Sequence, residues 1–276
     1  MLINKLLYIK YINQLQFNWD WDFNVLINNS GNLEIESTNN LIDNSIINYY
    51  IINANFPFLH SIKSGIKRAK LTNNEKNLIT LTPIQIEILI GCILGDASLE
   101  RRLPTHNTRL RFDQTFPEHA PYVMYLYSIF YYLTGSSPSI NIRKPDPRTN
   151  KIYSSMSFKT LSLPCLNFYH DLFYDSILGK IIPSNIENYL TPRSLAFWIM
   201  DDGSKDSNGQ TILHTRSYSY SEILLLQNTL KNKFNLRTRI TEKTSGQFII
   251  HIPVKQDIRL KNIVLPYMHY TFIYKV

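Results

Sequence analysis

Apolar positions along this chain gather into two stretches of the same layout. The first, LTPIQIEILIGCILGDASL, occupies residues 81–99, and the second, LTPRSLAFWIMDDGS, occupies residues 190–204. Each opens with Leu-Thr-Pro. A threonine before a proline signals a helix start, because Thr82 or Thr191 can accept from free N–H groups and proline suits the first helical position. Gln85 completes a capping box with Thr82. Both stretches then run apolar for about three turns and end at an aspartate followed by small residues. An internal repeat on this scale means two related halves.

The segments after each apolar stretch also correspond. Alternation predicts a strand at 108–116 (TRLRFDQTF) and another at 210–219 (QTILHTRSYS). Helices are predicted from Glu118 to about Tyr132 and from Ser221 to Lys233. Hairpins follow at 139–158, turning at Pro145–Asn150, and at 236–252, turning at Thr244–Gly246. Closing helices fit near 162–174 and 255–265. The expected fold is α+β: helix, two strands, helix, two strands, helix, twice over. The halves divide at 81–180 and 181–276. Residues 1–80 differ: they are Asn-rich with poor periodicity, and read as an extension ending in a basic linker. Lys63, Lys67, Arg68, Lys70 and Lys76 in that linker would either lie along a phosphate backbone or simply face solvent.

Charge narrows the choice of partner. The formal net charge is +8. Residues 1–60 hold two lysines against five acids, so the excess belongs to the body of the chain. A basic body favours nucleic acid over a membrane surface. No run of about 18–20 apolar residues predicts a membrane span, and no import or secretion signal is evident. Cys92 and Cys165 lie in no C-x-x-C spacing and read as reduced thiols. His106, His119 and His214 show no triad or metal spacing with them. The chain favours residues with A/T-rich codons, which hints at an organellar gene. The predicted strands and turns carry Arg109, Arg111, Arg143, Lys144, Arg148, Lys151, Arg216, Arg237, Arg239 and Lys243. Alternation lets Arg109 and Arg111, and likewise Arg237 and Arg239, share a face. Such a ribbon can enter the major groove and contact bases and phosphates.

LIGCILGDA (89–97) and LAFWIMDDG (195–203) resemble the two nine-residue signatures of the LAGLIDADG homing endonucleases. From about residue 81 onward the chain is most similar to two-motif mitochondrial intron endonucleases of yeasts. The resemblance implies two pseudo-symmetric αββαββα halves, a saddle-shaped β-sheet surface for double-stranded DNA, and the motif helices packed at the interface. It implies close approach at Gly91, Gly95 and Ala196. It places Asp96 and Asp202 as Mg²⁺ ligands and catalytic acids, with Lys180, Lys275 and Gln114 as further active-site residues. Arg216 stands as the approximate counterpart of Gln114. Asp201 points about 100° from Asp202 on a helix, so it supports the helix end or contacts the other half. The implied activity is intron homing by a monomer in the mitochondrion. The alternative is an RNA maturase that binds its own group I intron.

Overall fold

The structure, a computed structural model, describes residues 71–276. The Asn-rich stretch and Lys63, Lys67, Arg68 and Lys70 lie outside the described residues. Lys76 sits on a short helix, α1 (Asn73–Leu78), that Thr72 and Glu75 close with a capping box.

The first half begins with α2 (Pro83–Leu94). Thr82 accepts from the Gln85 backbone, and the Gln85 side chain accepts from the Thr82 backbone. Every residue from Ile88 to Leu94 is buried, so this helix lies at the centre of the molecule. It is followed by β1 (Ser98–Glu100), β2 (Arg109–Thr115), α3 (Ala120–Phe130), β3 (Ser139–Ile142), β4 (Ser154–Lys159) and α4 (Asn167–Phe173). A two-stranded hairpin, β5 (Tyr174–Asp175) and β6 (Gly179–Lys180), closes the half.

The second half repeats the order with α5 (Pro192–Asp202), β7 (Gly203–Lys205), β8 (Thr211–Leu213), α6 (Tyr220–Phe234), β9 (Arg239–Thr244), β10 (Gln247–Ile252) and α7 (Asp257–Val264). The chain ends in tight helical turns at Leu265–Tyr267 and Tyr270–Lys275. The two sheets are antiparallel and share one topology, β1-β2-β4-β3 and β7-β8-β10-β9. The expected α+β order is therefore present in both halves. None of the described helices is long and apolar enough to cross a membrane.

One face of each sheet is apolar. In the first, Leu110 and Phe112 are buried, and the Phe112 ring meets Tyr122 of α3 edge-on at 5.7 Å. In the second, Leu213, Ile250 and Ile252 are buried, as are Ile223, Leu226 and Leu230 of α6. Alternation puts Arg109, Arg111 and Asp113 on the opposite face of the first sheet, and Ile212 and His251 on that of the second.

Helix α2 packs against α5. A Cβ added at Gly91 would stand 2.3 Å from the Ser194 carbonyl oxygen and 2.7 Å from Phe197 Cβ. One added at Gly95 would stand 2.4 Å from Asp201 Cβ. The glycines thus permit the close approach expected of them. On the partner helix that approach falls at Ser194, Phe197 and Asp201. Ala196 is fully buried, yet it lies about 200° round the helix from Ser194. An ion pair from Arg193 to Glu87, at 2.6 Å, joins the other ends of the two helices.

Several boundaries differ from expectation for local reasons. The second half's first long strand shrinks to three residues because Gln210 is held in a turn by Asp206, which accepts from its backbone and side chain. Arg143 lies one residue beyond β3, although its N–H still donates to the Tyr153 carbonyl. Arg237 precedes β9. The closing helix of the first half starts only at Asn167, whose side chain is committed to the Thr108 backbone and to Asn107.

Candidate active site

The C-terminal ends of α2 and α5 carry the two motif acids. Gly95 turns the chain out of α2, so Asp96 lies just past that helix, whereas Asp202 is the last residue of α5. The final carbonyls of a helix lack partners within it. Here lysines from elsewhere supply them. Lys180 Nζ, on β6, donates to the carbonyls of Ile93, Gly95 and Ala97 at 2.9, 3.0 and 2.9 Å. Lys275 Nζ, at the chain's end, donates to the carbonyls of Met200 and Asp201 and stands 4.6 Å from the centre of the Phe272 ring. Each lysine closes its own half and caps that half's motif helix, a favourable place for a cation.

This placement changes the expectation for Lys180. An ammonium has three N–H donors, and all three are directed at the peptide chain flanking Asp96. Lys180 therefore holds the acid's loop rather than presenting a free donor. Burial lowers the pKa of both lysines, opposed by the nearby Asp202, Asp96 and Asp201 carboxyls.

Asp96 and Asp202 have unequal surroundings. Asp96 Oδ2 accepts from Gln114 Nε2 at 2.5 Å. Gln114 Oε1 lies 2.8 Å from His119 Nδ1. The His119 ring stands edge-on to Phe272, 5.0 Å between centres. Asp202 is pushed up to about 7, first by burial and then by Asp96, while Lys180 and Lys275 pull it down. The strand registers identify what corresponds to Gln114. Ser98 pairs with Arg111 and Ser204 with Ile212. Gln114 is three residues past Arg111, and Thr215 is three past Ile212. Thr215, not Arg216, is thus the structural counterpart. Its hydroxyl is buried and donates to the Phe248 carbonyl at 3.0 Å. Arg216 is exposed beyond β8.

Asp201 reaches the other half. Its Oδ1 accepts from the Tyr122 hydroxyl at 2.9 Å, and its Oδ2 is buried without a partner. Burial, reinforced by Asp96, raises this carboxyl well above the usual carboxylate range. Asp201 is a buried strut between α5 and α3.

The open sheet faces carry the expected cations in mixed company. Arg109 and Arg111 both pair with Glu100, at 2.6 and 3.4 Å, and Arg111 also pairs with Asp113 at 3.1 Å. Arg143, Lys144, Arg148 and Lys151 are exposed around the β3–β4 turn, away from the helix ends. Arg239 and Lys243 are exposed along β9, and Arg237 is exposed just before it.

Sequence reasoning passed over the histidines. His214 Nε2 bonds Ser204 Oγ at 2.8 Å. His251 pairs across the sheet with both Ile212 and Arg239, and neither of its ring nitrogens has a partner. Burial, then the nearby cations Arg216 and Arg239 respectively, lowers the pKa of His214 and His251. Spacing to a cysteine or a triad could not have found them. Alternation along β8 and β10 would have put them on the open face.

The model of the LAGLIDADG DNA endonuclease family matches residues 86–259. A cytochrome b mRNA maturase of Saccharomyces cerevisiae is 32% identical over 75% of this chain and 51% of its own length. The chain therefore spans about half of that relative. A probable intron-encoded endonuclease of Wickerhamomyces canadensis is 32% identical over 73% of this chain and 87% of its own. The solved structure of the homing endonuclease I-WcaI, bound to its DNA recognition sequence, superposes with a TM-score of 0.69 at 28% identity, covering 77% of this chain and 95% of that one. Matched family model, repeated sheet order and paired motif helices agree: this chain belongs to the LAGLIDADG DNA endonuclease family.

Proposed function

We propose that the chain is a monomeric, sequence-specific homing endonuclease that cuts double-stranded DNA, encoded by a mitochondrial group I intron whose mobility it mediates. Residues 81–180 and 181–276 form its two halves, and residues 1–80 are an added extension. The observation that carries this reading is the convergence of Asp96, Asp202, Gln114, Lys180 and Lys275 on the ends of the two motif helices. The DNA-bound relative that shares the fold supports it.

The acids suit Mg²⁺. Asp96 raises the cost of ionising Asp202, which a shared cation relieves. Among the described residues no cluster of three or more His, Cys, Asp or Glu side chains is present. Magnesium sites typically use one or two carboxylates and complete their shell with water and phosphate oxygens. A divalent cation held by Asp96 and Asp202 would supply charge at the attacking and leaving oxygens of the phosphodiester. The protein's own groups do the rest. Gln114 orients Asp96, the two lysines fix the chain that carries the acids, and the open sheet faces hold the duplex. Arg237, Arg239, Lys243, Arg143, Lys144, Arg148, Lys151 and Arg216 contact phosphates and bases. Arg109 and Arg111, already paired with acids, contribute less net charge.

The test is incubation with duplex DNA spanning the intronless insertion site, with Mg²⁺ and with a chelator, and with the intron-containing allele as control. Cleavage of the intronless duplex only, and only with the metal, is the expected result. The name of the yeast maturase keeps RNA-assisted splicing as the second reading. Tight binding of the intron RNA without any DNA cleavage would favour it.

A further inference from the structure

We propose that His119 is a positioning residue that fixes the Gln114 amide on Asp96, and that the two halves are unequal because only the first has this relay. The proposal rests on the endonuclease reading and names a residue within it. An ionised carboxylate only accepts hydrogen bonds. Gln114 must therefore turn Nε2 toward Asp96 Oδ2, as it does at 2.5 Å. That leaves Oε1, also an acceptor, facing His119 Nδ1 at 2.8 Å, so Nδ1 carries the hydrogen. Rotating the amide would set oxygen against oxygen at Asp96. The imidazole donor holds the productive orientation.

The ring is itself positioned by Phe272, whose face also lies against the Lys275 ammonium. The relay thus runs from the C-terminal segment of the second half to the acid of the first. Among the described residues nothing equivalent serves Asp202. Thr215 stands where Gln114 would, with its hydroxyl turned to Phe248. His214, just beyond β8, is bonded to Ser204 instead.

Strand-resolved kinetics on end-labelled target duplex test this, with dissociation constants measured on uncleaved DNA in Ca²⁺. His119→Phe keeps a ring against Phe272 and removes the donor. It is expected to slow cleavage of one strand, by at most the roughly tenfold to hundredfold that follows from losing a partner that orients a metal ligand, here Gln114. The nicked duplex accumulates and binding is unchanged. Gln114→Ala slows the same strand, and the double variant is no slower than Gln114→Ala alone. His119→Asn, whose Nδ2 can stand near the place of Nδ1, recovers most of the rate. His119→Ala gives the same comparison if the phenylalanine is not accommodated. Wild-type rates for both His119→Phe and His119→Ala, equal slowing of both strands, or additive effects in the double variant would each overturn the proposal. A wild-type protein that cuts neither strand would instead remove the endonuclease reading, and this inference with it.

Discussion

At the scale of single residues, the acids were legible and their partners were not. The repeated Leu-Thr-Pro start and apolar run led to an aspartate at the end of each stretch, and the resemblance of the two motifs to the family picked out Asp96 and Asp202 there. Gln114, Lys180 and Lys275 were reached through resemblance alone. That Lys180 spends its donors on helix carbonyls depends on a hairpin 85 residues away from Gly95, which no local pattern encodes. His119 was passed over because its contact with Gln114 requires the chain to reverse after β2. Asp202 gives a pH signature. Asp202 has a folded pKa near 7, above its unfolded value. The folded state therefore binds the extra proton between about pH 4 and 7, and metal-free stability falls as pH rises through that window. Asp202→Asn, measured in chelator, should raise the melting temperature at pH 8, with a gain on the order of a few kcal/mol at most. The gain should shrink toward pH 5. A variant no more stable than wild type at pH 8 would mean that Asp202 carries no such burden.

At the scale of elements, the helix starts and the order of strands could be read, since capping chemistry and alternation are local. Element lengths could not. The turn held by Asp206 shortened β8, and a separate tight helical turn at Pro164–Leu166 precedes α4. The helix pair shows the same division. Gly91 and Gly95 were expected at the contact and are there. The residues opposite them, Ser194, Phe197 and Asp201, depend on how α5 is rotated against α2. Gly91→Ala meets a backbone carbonyl that cannot move aside, so it should destabilise by about 1–3 kcal/mol, as overpacking does. Because that contact also sets the spacing of the acids, cleavage of both strands should slow, in contrast to the single-strand effect at His119. Thermal melting and strand-resolved rates check both parts. Tyr122→Phe removes the hydroxyl that donates to the buried Asp201 carboxyl, and should cost about 1–3 kcal/mol of stability.

At the scale of the molecule, the two-half architecture was legible because the sequence repeats, and the basic excess of the body pointed to nucleic acid. What the sequence did not separate was free charge from paired charge. Arg109 and Arg111 face Glu100 and Asp113, whereas Arg237, Arg239 and Lys243 stand exposed. DNA affinity should accordingly fall with salt, and Arg239→Ala or Lys243→Ala should each reduce the logarithmic slope by about 0.9. Arg109→Ala should change it less, as dissociation constants across a salt series would show. The endonuclease reading requires one acid from each half to cut duplex DNA. Its most direct test is the cleavage product of wild type beside Asp96→Asn and Asp202→Asn on the intronless target with Mg²⁺. A double-strand break by wild type, lost or reduced to a nick in either variant while DNA binding persists, is the predicted result. Full cleavage by either variant would contradict it, and so would a wild type that binds this duplex and leaves both strands intact.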